Sequence, residues 1–173
     1  MNTDKKYQFN GQGVNMVISI REVNKENYME VCELTSNKDG KLTLYEEFIC
    51  SNAVSLAESK YSSNMHPMSL YHDEILIGFF MYEHSEKTPD LVTMCRFMID
   101  HKFLGKGWGR QSFEAMLNYF KNSVKASSIE LMIEDENIIA KKLYTSYGFT
   151  FTGKINTFTG DMTTHEYYYR LDF

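Results

Sequence analysis

Two short segments carry residue types and spacings that suit chemistry. Residues 104–111 (LGKGWGRQ) put Gly105, Gly107 and Gly109 at the threshold of an amphipathic helix. Residues 137–149 (NIIAKKLYTSYGF) read as a short helix that sets Asn137, Ala140 and Tyr144 on one face and stops at Gly148. A strand that feeds a glycine-rich turn and then a helix leaves the first-turn N–H groups without intrahelical partners. The helix dipole adds partial positive charge at the same place, so the turn suits an anion such as pyrophosphate. Glycines there lack a Cβ and let phosphates approach the backbone, and Lys106 and Arg110 can add charge-assisted contacts.

Other glycine-loop chemistries fail on spacing. A Walker A loop needs G-x-x-x-x-G-K-[ST], but Arg110 follows Gly109. A dinucleotide fingerprint counted from Gly105 ends on Arg110 instead of glycine.

The elements that must position these groups follow from periodicity. Residues 17–22 (VISIRE) alternate like a first strand. Asn24 is expected to cap a helix running to about Thr35, and a second helix is expected from about Leu44 to Ser62. Residues 68–72 and 75–82 flank Asp73-Glu74 as a hairpin, and residues 91–100 form a long strand. After Gly107, Phe113, Met116, Leu117, Phe120 and Val124 recur at helical spacing and make one buried face. A strand at 129–134, the helix after Asn137 and a hairpin of 149–157 with 164–171 close the chain, turning near Gly160. Residues 1–15 are polar, carry two glycines and lack apolar periodicity, so a disordered extension before a single domain at 16–173 is expected.

Composition narrows the function. At 173 residues the chain is long enough for one domain with a sizeable core. A net charge of −5 argues against nucleic acid and anionic membrane as partners and suits a cationic small molecule. No apolar run approaches the roughly 20 residues of a membrane span. Cys32, Cys50 and Cys95 have no metal-like spacing and read as reduced thiols of a cytoplasmic protein.

The two segments, in this order and separated by one strand, resemble the acetyl-CoA-binding core of the GNAT N-acetyltransferase superfamily. Its signature Q/R-x-x-G-x-G/A maps onto Leu104, Gly105, Lys106, Gly107, Trp108 and Gly109, with Leu104 departing from the usual Gln or Arg. Residues 69–82 (SLYHDEILIGFFMY), 96–109 (RFMIDHKFLGKGWG) and 48–61 (FICSNAVSLAESKY) are similar to segments of bacterial diamine and spermine/spermidine N-acetyltransferases. The resemblance implies an α/β GNAT fold, a mixed central sheet with flanking helices. It also implies acetyl-CoA as cosubstrate and a strand ending near Ile99 that splays from the next one to admit the pantetheine arm.

What the resemblance implies about roles is specific to positions. Backbone groups at Phe97, Met98 and Ile99, and at Gly105 through Arg110, would hold the cofactor, together with Asn137 and Ala140. Tyr144 would be the general acid for the departing thiolate; phenol and thiol pKa values of about 10 and about 8.5 make that transfer modest in cost. Some relatives carry a carboxylate at the position of Cys95, so the base must lie elsewhere, and Glu134 is the candidate, acting through water. Asn137 can equally be a helix cap, Glu134 a helix-N-terminal acid, and Arg96 either an ion-pair partner or a solvated edge residue. The expected activity is direct acetyl transfer to a primary amine, a polyamine or diamine first. Another amine, such as an aminoglycoside-like compound or a protein amino terminus, and a non-catalytic acyl-CoA-binding domain are the alternatives. Pairing as a homodimer is left open, and no metal is expected.

Overall fold

A computed structural model describes residues 7–8, 18–159 and 163–173. Eight strands form one sheet in the order β1-β2-β3-β4-β5-β6-β8-β7. They are β1 (Tyr7–Gln8), β2 (Ile18–Glu22), β3 (Met65–His72), β4 (Ile75–His84), β5 (Leu91–Ile99), β6 (Ser128–Glu134), β7 (Thr150–Thr159) and β8 (Thr163–Asp172). The helices are α1 (Tyr28–Cys32), α2 (Asn52–Ser59), α3 (Trp108–Tyr119) and α4 (Ile138–Ser146). Only β5 and β6 pair in parallel, which makes the sheet mixed.

Apolar side chains leave the sheet on both faces and are covered from both. On one face Phe80, Val92, Ile129 and Leu131 meet Phe113, Met116 and Phe120 of the α3 segment. Burying one such side chain contributes about 1.5–3 kcal/mol, so this stripe is what fixes α3 to the sheet. On the other face Phe79, Met81 and Met98 pack with Val31 of α1 and Leu56 of α2.

The two N-terminal helices are shorter than their spacing suggests. Asn24 is spent in a turn, where its Oδ1 accepts from Glu26 N at 2.8 Å. After Cys32 the chain leaves the helix because Thr35 N donates to the buried Asp100 carboxylate at 3.1 Å. Residues 44–51 fold back on themselves, bridging Tyr45 to Cys50, and α2 starts only where the Ser51 hydroxyl accepts from Val54 N. The expected helix from Leu44 is therefore a turn until Ser51, and Tyr45 is 73% exposed there.

Of the expected N-terminal extension, Tyr7 and Gln8 pair antiparallel with Ile20 and Ser19, and the rest of residues 1–15 lies outside the described residues. The turn at Gly160 also lies outside them. Among the described residues no helix is long and apolar enough to cross a membrane.

Candidate active site

The site begins where β5 and β6 part. They pair from Leu91↔Ser128 to Met94↔Leu131, and residues 95–99 and 132–134 then run on without each other. A bulge sits at the parting. β4 pairs Met81 with Arg96 and Tyr82 with Met94, which leaves Cys95 without a partner. An extra residue of this kind bends its strand and increases the local twist. Gly78 on β4 keeps the end of β5 close, because a Cβ there would lie 2.5 Å from the Met98 carbonyl oxygen. Beyond the bulge Phe97 packs edge-on against Phe113 at 5.5 Å, while Met98 turns to the opposite face and its Sδ accepts from Asn52 Nδ2 at 3.8 Å.

The glycine turn lies past the end of β5. Gly107 is the N-cap of α3 with φ of 82°, a left-handed conformation that glycine adopts without steric cost, and no side chain caps the helix. The first-turn N–H groups thus have no side-chain partner and are open to solvent or a ligand. A Cβ on Gly109 would meet nothing closer than Ile99 Cγ1 at 3.9 Å, so neither packing nor backbone conformation demands glycine there. Lys106 Nζ donates to Lys102 O at 3.1 Å, and Arg110 donates to Ser146 Oγ at 3.2 Å with its guanidinium 5.2 Å from the Tyr147 ring centroid. Trp108 packs its ring on His72 at 4.1 Å, which leaves its backbone N–H as the group it presents to the turn.

On α4, Asn137 is the N-cap, and its Oδ1 accepts from Ala140 N at 3.1 Å. The capping role is filled, and the side-chain NH₂ stays available to the cleft that Asn137 lines. Tyr144 follows two turns later, 7% exposed, its ring tilted by 32° against Phe113 at 4.9 Å. Its hydroxyl makes no hydrogen bond to another described residue. Burial pushes its pKa well above the usual phenol value, so it stays protonated.

The far wall comes from α2, the turn before it and the open edge of β6. Arg96 donates to Glu58 at 3.0 Å, to the Cys95 carbonyl at 2.8 Å and to Cys50 Sγ at 3.2 Å, which makes it an ion-pair partner. Glu46 accepts from the Thr35 hydroxyl at 2.6 Å and from Ser36 N at 2.7 Å, pinning the turn. Burial raises the Cys95 thiol to about 11, so thiolate chemistry is not its part. The Glu134 carboxyl is pushed up by burial first, then by the neighbouring Glu166 and Glu136 charges.

These groups line one cleft of about 670 Å³ that runs from Leu104 and Ala140 to Glu134 and Glu166. Phe97, Met98, Ile99, Asn137, Ala140, Tyr144 and Glu134 are all brought to it, whereas residues 105–110 form the turn beyond its lining. Leu104 faces it, 45% exposed, where the signature has a polar residue. The residues present fit acetyl-CoA: uncapped helix donors and a free Cβ space at Gly109 for phosphates, a strand gap for an extended arm, and, at its end, the hydroxyl of the largely buried Tyr144, which has no partner among the described residues. Sequence reasoning missed the Cys95 bulge, the Glu46 clamp and Glu166. No local pattern marks the first two, and Glu166 reaches the cleft only because β8 inserts between β6 and β7.

Comparison with known proteins gives the family and the fold. Residues 32–165 match the family described as Acetyltransferase (GNAT) domain. The chain is 30% identical over 151 residues to the spermine/spermidine N(1)-acetyltransferase of Bacillus subtilis (strain 168), covering 84% of this chain and 95% of that one. Among solved structures it is similar to the spermidine N-acetyltransferase of Vibrio cholerae in complex with CoA and spermine, with TM-score 0.68, 16% identity, and 90% and 95% of the two chains covered. It is equally similar to the ribosomal-protein-S18-alanine N-acetyltransferase of Escherichia coli, with TM-score 0.68, 15% identity, and 90% and 93% covered. At such identities the structural likeness speaks to the fold.

Proposed function

The chain belongs to the GNAT acetyltransferase family and is an acetyl-CoA-dependent N-acetyltransferase; from that membership we propose that its acceptor is a polyamine or diamine. The observation that carries this reading is the charge of the acceptor half of the cleft. Glu134, Glu136, Glu166, Glu46 and Glu47 line it, while the guanidinium of Arg96 is committed to Glu58. Five carboxylates against the single further cation Lys38 leave this lining net negative, which favours an ammonium-bearing chain over a neutral or anionic acceptor. The Bacillus subtilis relative, an N(1)-acetyltransferase of spermine and spermidine by name, supports the same class. Family membership sets aside the non-catalytic reading.

In the proposed mechanism acetyl-CoA supplies the thioester, held by the N–H groups of the Gly105–Arg110 turn and by the free edges of β5 and β6. Glu134 takes a proton from the acceptor ammonium, directly or through one water. The freed nitrogen lone pair bonds to the acetyl carbon as the carbon–sulfur bond breaks. The departing sulfur receives its proton from the Tyr144 hydroxyl, which regains one from the nitrogen. One proton per turnover leaves through Glu134. A backbone N–H near Met98 would stabilise the negative charge that develops on the carbonyl oxygen. The unpaired thiols of Cys32, Cys50 and Cys95 support a cytoplasmic setting, and the open sheet edge at β7 supports self-association.

An amine panel followed by thiol release tests the acceptor. Spermidine, spermine and putrescine should exceed an aminoglycoside and a peptide amino terminus in kcat/KM by at least about tenfold, the worth of one charge-assisted hydrogen bond. A higher kcat/KM on the peptide would overturn the polyamine assignment.

Glu134→Gln tests the base. Its carboxyl titrates above the ordinary range, so it is an effective base only once deprotonated, and activity should rise with pH through that raised value. The variant should lose about 10²-fold or more in kcat/KM near neutral pH, and raising the pH should restore part of it by supplying free amine. A variant with the parental pH profile would show that solvent takes the proton unaided.

A further inference from the structure

Glu166 has so far entered only as one of several charges in the cleft, yet its position is unusual. It is the Cα partner of Glu134 across the antiparallel β6–β8 pair, so the two side chains leave the same face of the sheet side by side. Like charges directly opposite each other cost stability. Here the cost is not relieved: neither carboxylate has a hydrogen bond or a cation partner among the described residues. The nearby acids do have partners, Glu46 at Thr35 and Ser36 and Glu58 at Arg96. Both members of the pair line the cleft, into which Tyr144 also presents its unpartnered hydroxyl from a side chain that is 7% exposed. Two unpaired carboxylates on one wall and an unpaired acid at the cofactor end frame a space that a cationic nitrogen satisfies.

We propose that Glu166 completes the acceptor site: together with Glu134 it receives the reacting ammonium group, and the pair takes up the proton that this nitrogen gives up. The inference rests on the reading of the chain as an amine acetyltransferase and adds the residue that makes its base effective. One ammonium N–H bond breaks and one carboxyl O–H bond forms on Glu134. Glu166 beside it raises its affinity for that proton and accepts a second N–H from the same nitrogen. The other charged groups facing the pair are Glu136 in the turn after β6, the Arg96–Glu58 ion pair across the cleft, and Lys38, Glu46 and Glu47 on the far wall. The buried thiol of Cys95 faces the same space as a neutral group.

The test compares wild type, Glu166→Gln and Glu130→Gln with spermidine. Glu130 shares the β6 face but lies outside the cleft lining and serves as the control. Glu166→Gln should lower kcat/KM for spermidine by about tenfold or more, as the loss of one charge-assisted hydrogen bond implies. It should also move the acid limb of the pH profile to lower pH, because one negative charge beside Glu134 is gone. KM for acetyl-CoA should hold, and the melting temperature should hold or rise, since a like-charge opposition has been removed. Glu130→Gln should match wild type. A Glu166→Gln enzyme with parental kcat/KM and acid limb overturns the proposal while leaving the acetyltransferase reading intact. Calorimetric titration with spermidine reads the site without turnover. Wild type that binds spermidine in a Glu166-dependent manner but never acetylates it keeps the pair and overturns the amine reading, whereas absence of both binding and turnover overturns both.

Discussion

Valine at Gly107 is expected to weaken acetyl-CoA binding by at least about tenfold, the cost of losing one charge-assisted hydrogen bond. Two effects must be separated. Gly107 has φ of 82°, so any L side chain is strained there, and a β-branched one costs about 1–3 kcal/mol. The second effect is occupancy. A Cβ at this position meets nothing closer than Gln111 Nε2 at 3.9 Å, so the space it fills belongs to no part of the protein. Gly153 on β7 provides the matched control, with φ of 88° and nothing within 4 Å of a built Cβ. Gly107→Val and Gly153→Val should lose comparable melting temperature, and only the first should lose cofactor affinity by calorimetry. Equal affinity in both variants would show that the turn is glycine-rich for its backbone geometry alone, and the phosphate cradle would have to be sought elsewhere.

The placement of the proposed cofactor residues was legible because its determinants are local. Gly107, Gly109, Asn137 and Tyr144 are set by a turn and two helix faces, and helical spacing places them without knowledge of the rest of the chain. The acceptor half depends on contacts distant in sequence. Asp100 stops the first helix by taking Thr35 N, and Ser51 delays the second, so neither helix follows its apolar spacing. The Cys95 bulge arises from the pairing of β4 with β5, and alternation within β5 alone does not reveal it. Glu134 could be singled out at the end of a strand beside the gap, but its partner is 32 positions away in sequence and meets it only through the β6–β8 register. Leu104 remains a departure from the signature that the fold tolerates, since its side chain faces the cleft and leaves the backbone of the turn unchanged.

Tyr144→Phe is expected to lower kcat by roughly 10²–10⁴, the usual worth of a positioned general acid, with acetyl-CoA affinity within a few-fold of the parent. The loss should appear equally in kcat and kcat/KM, because the proton is shared with sulfur only as the bond breaks. Stability gives an independent check. The side chain is 7% exposed and its hydroxyl bonds to no described residue, so removing it leaves nothing unsatisfied, and the melting temperature should hold or rise slightly. A tyrosine whose hydroxyl served the fold would behave in the opposite way, destabilising the protein when truncated. The raised pKa adds a constraint on the pH profile. Because burial keeps the phenol protonated beyond its ordinary value of about 10, no fall in activity from Tyr144 should occur below about pH 10. The same burial that makes the phenol a weaker acid makes a thiolate in that cleft a stronger base, so the transfer stays within reach. Steady-state kinetics of the variant across pH with the best amine of the panel decides the matter. Turnover at the parental rate would mean that solvent or another residue protonates the sulfur, and the unpartnered hydroxyl at the floor of the cleft would then need a different explanation.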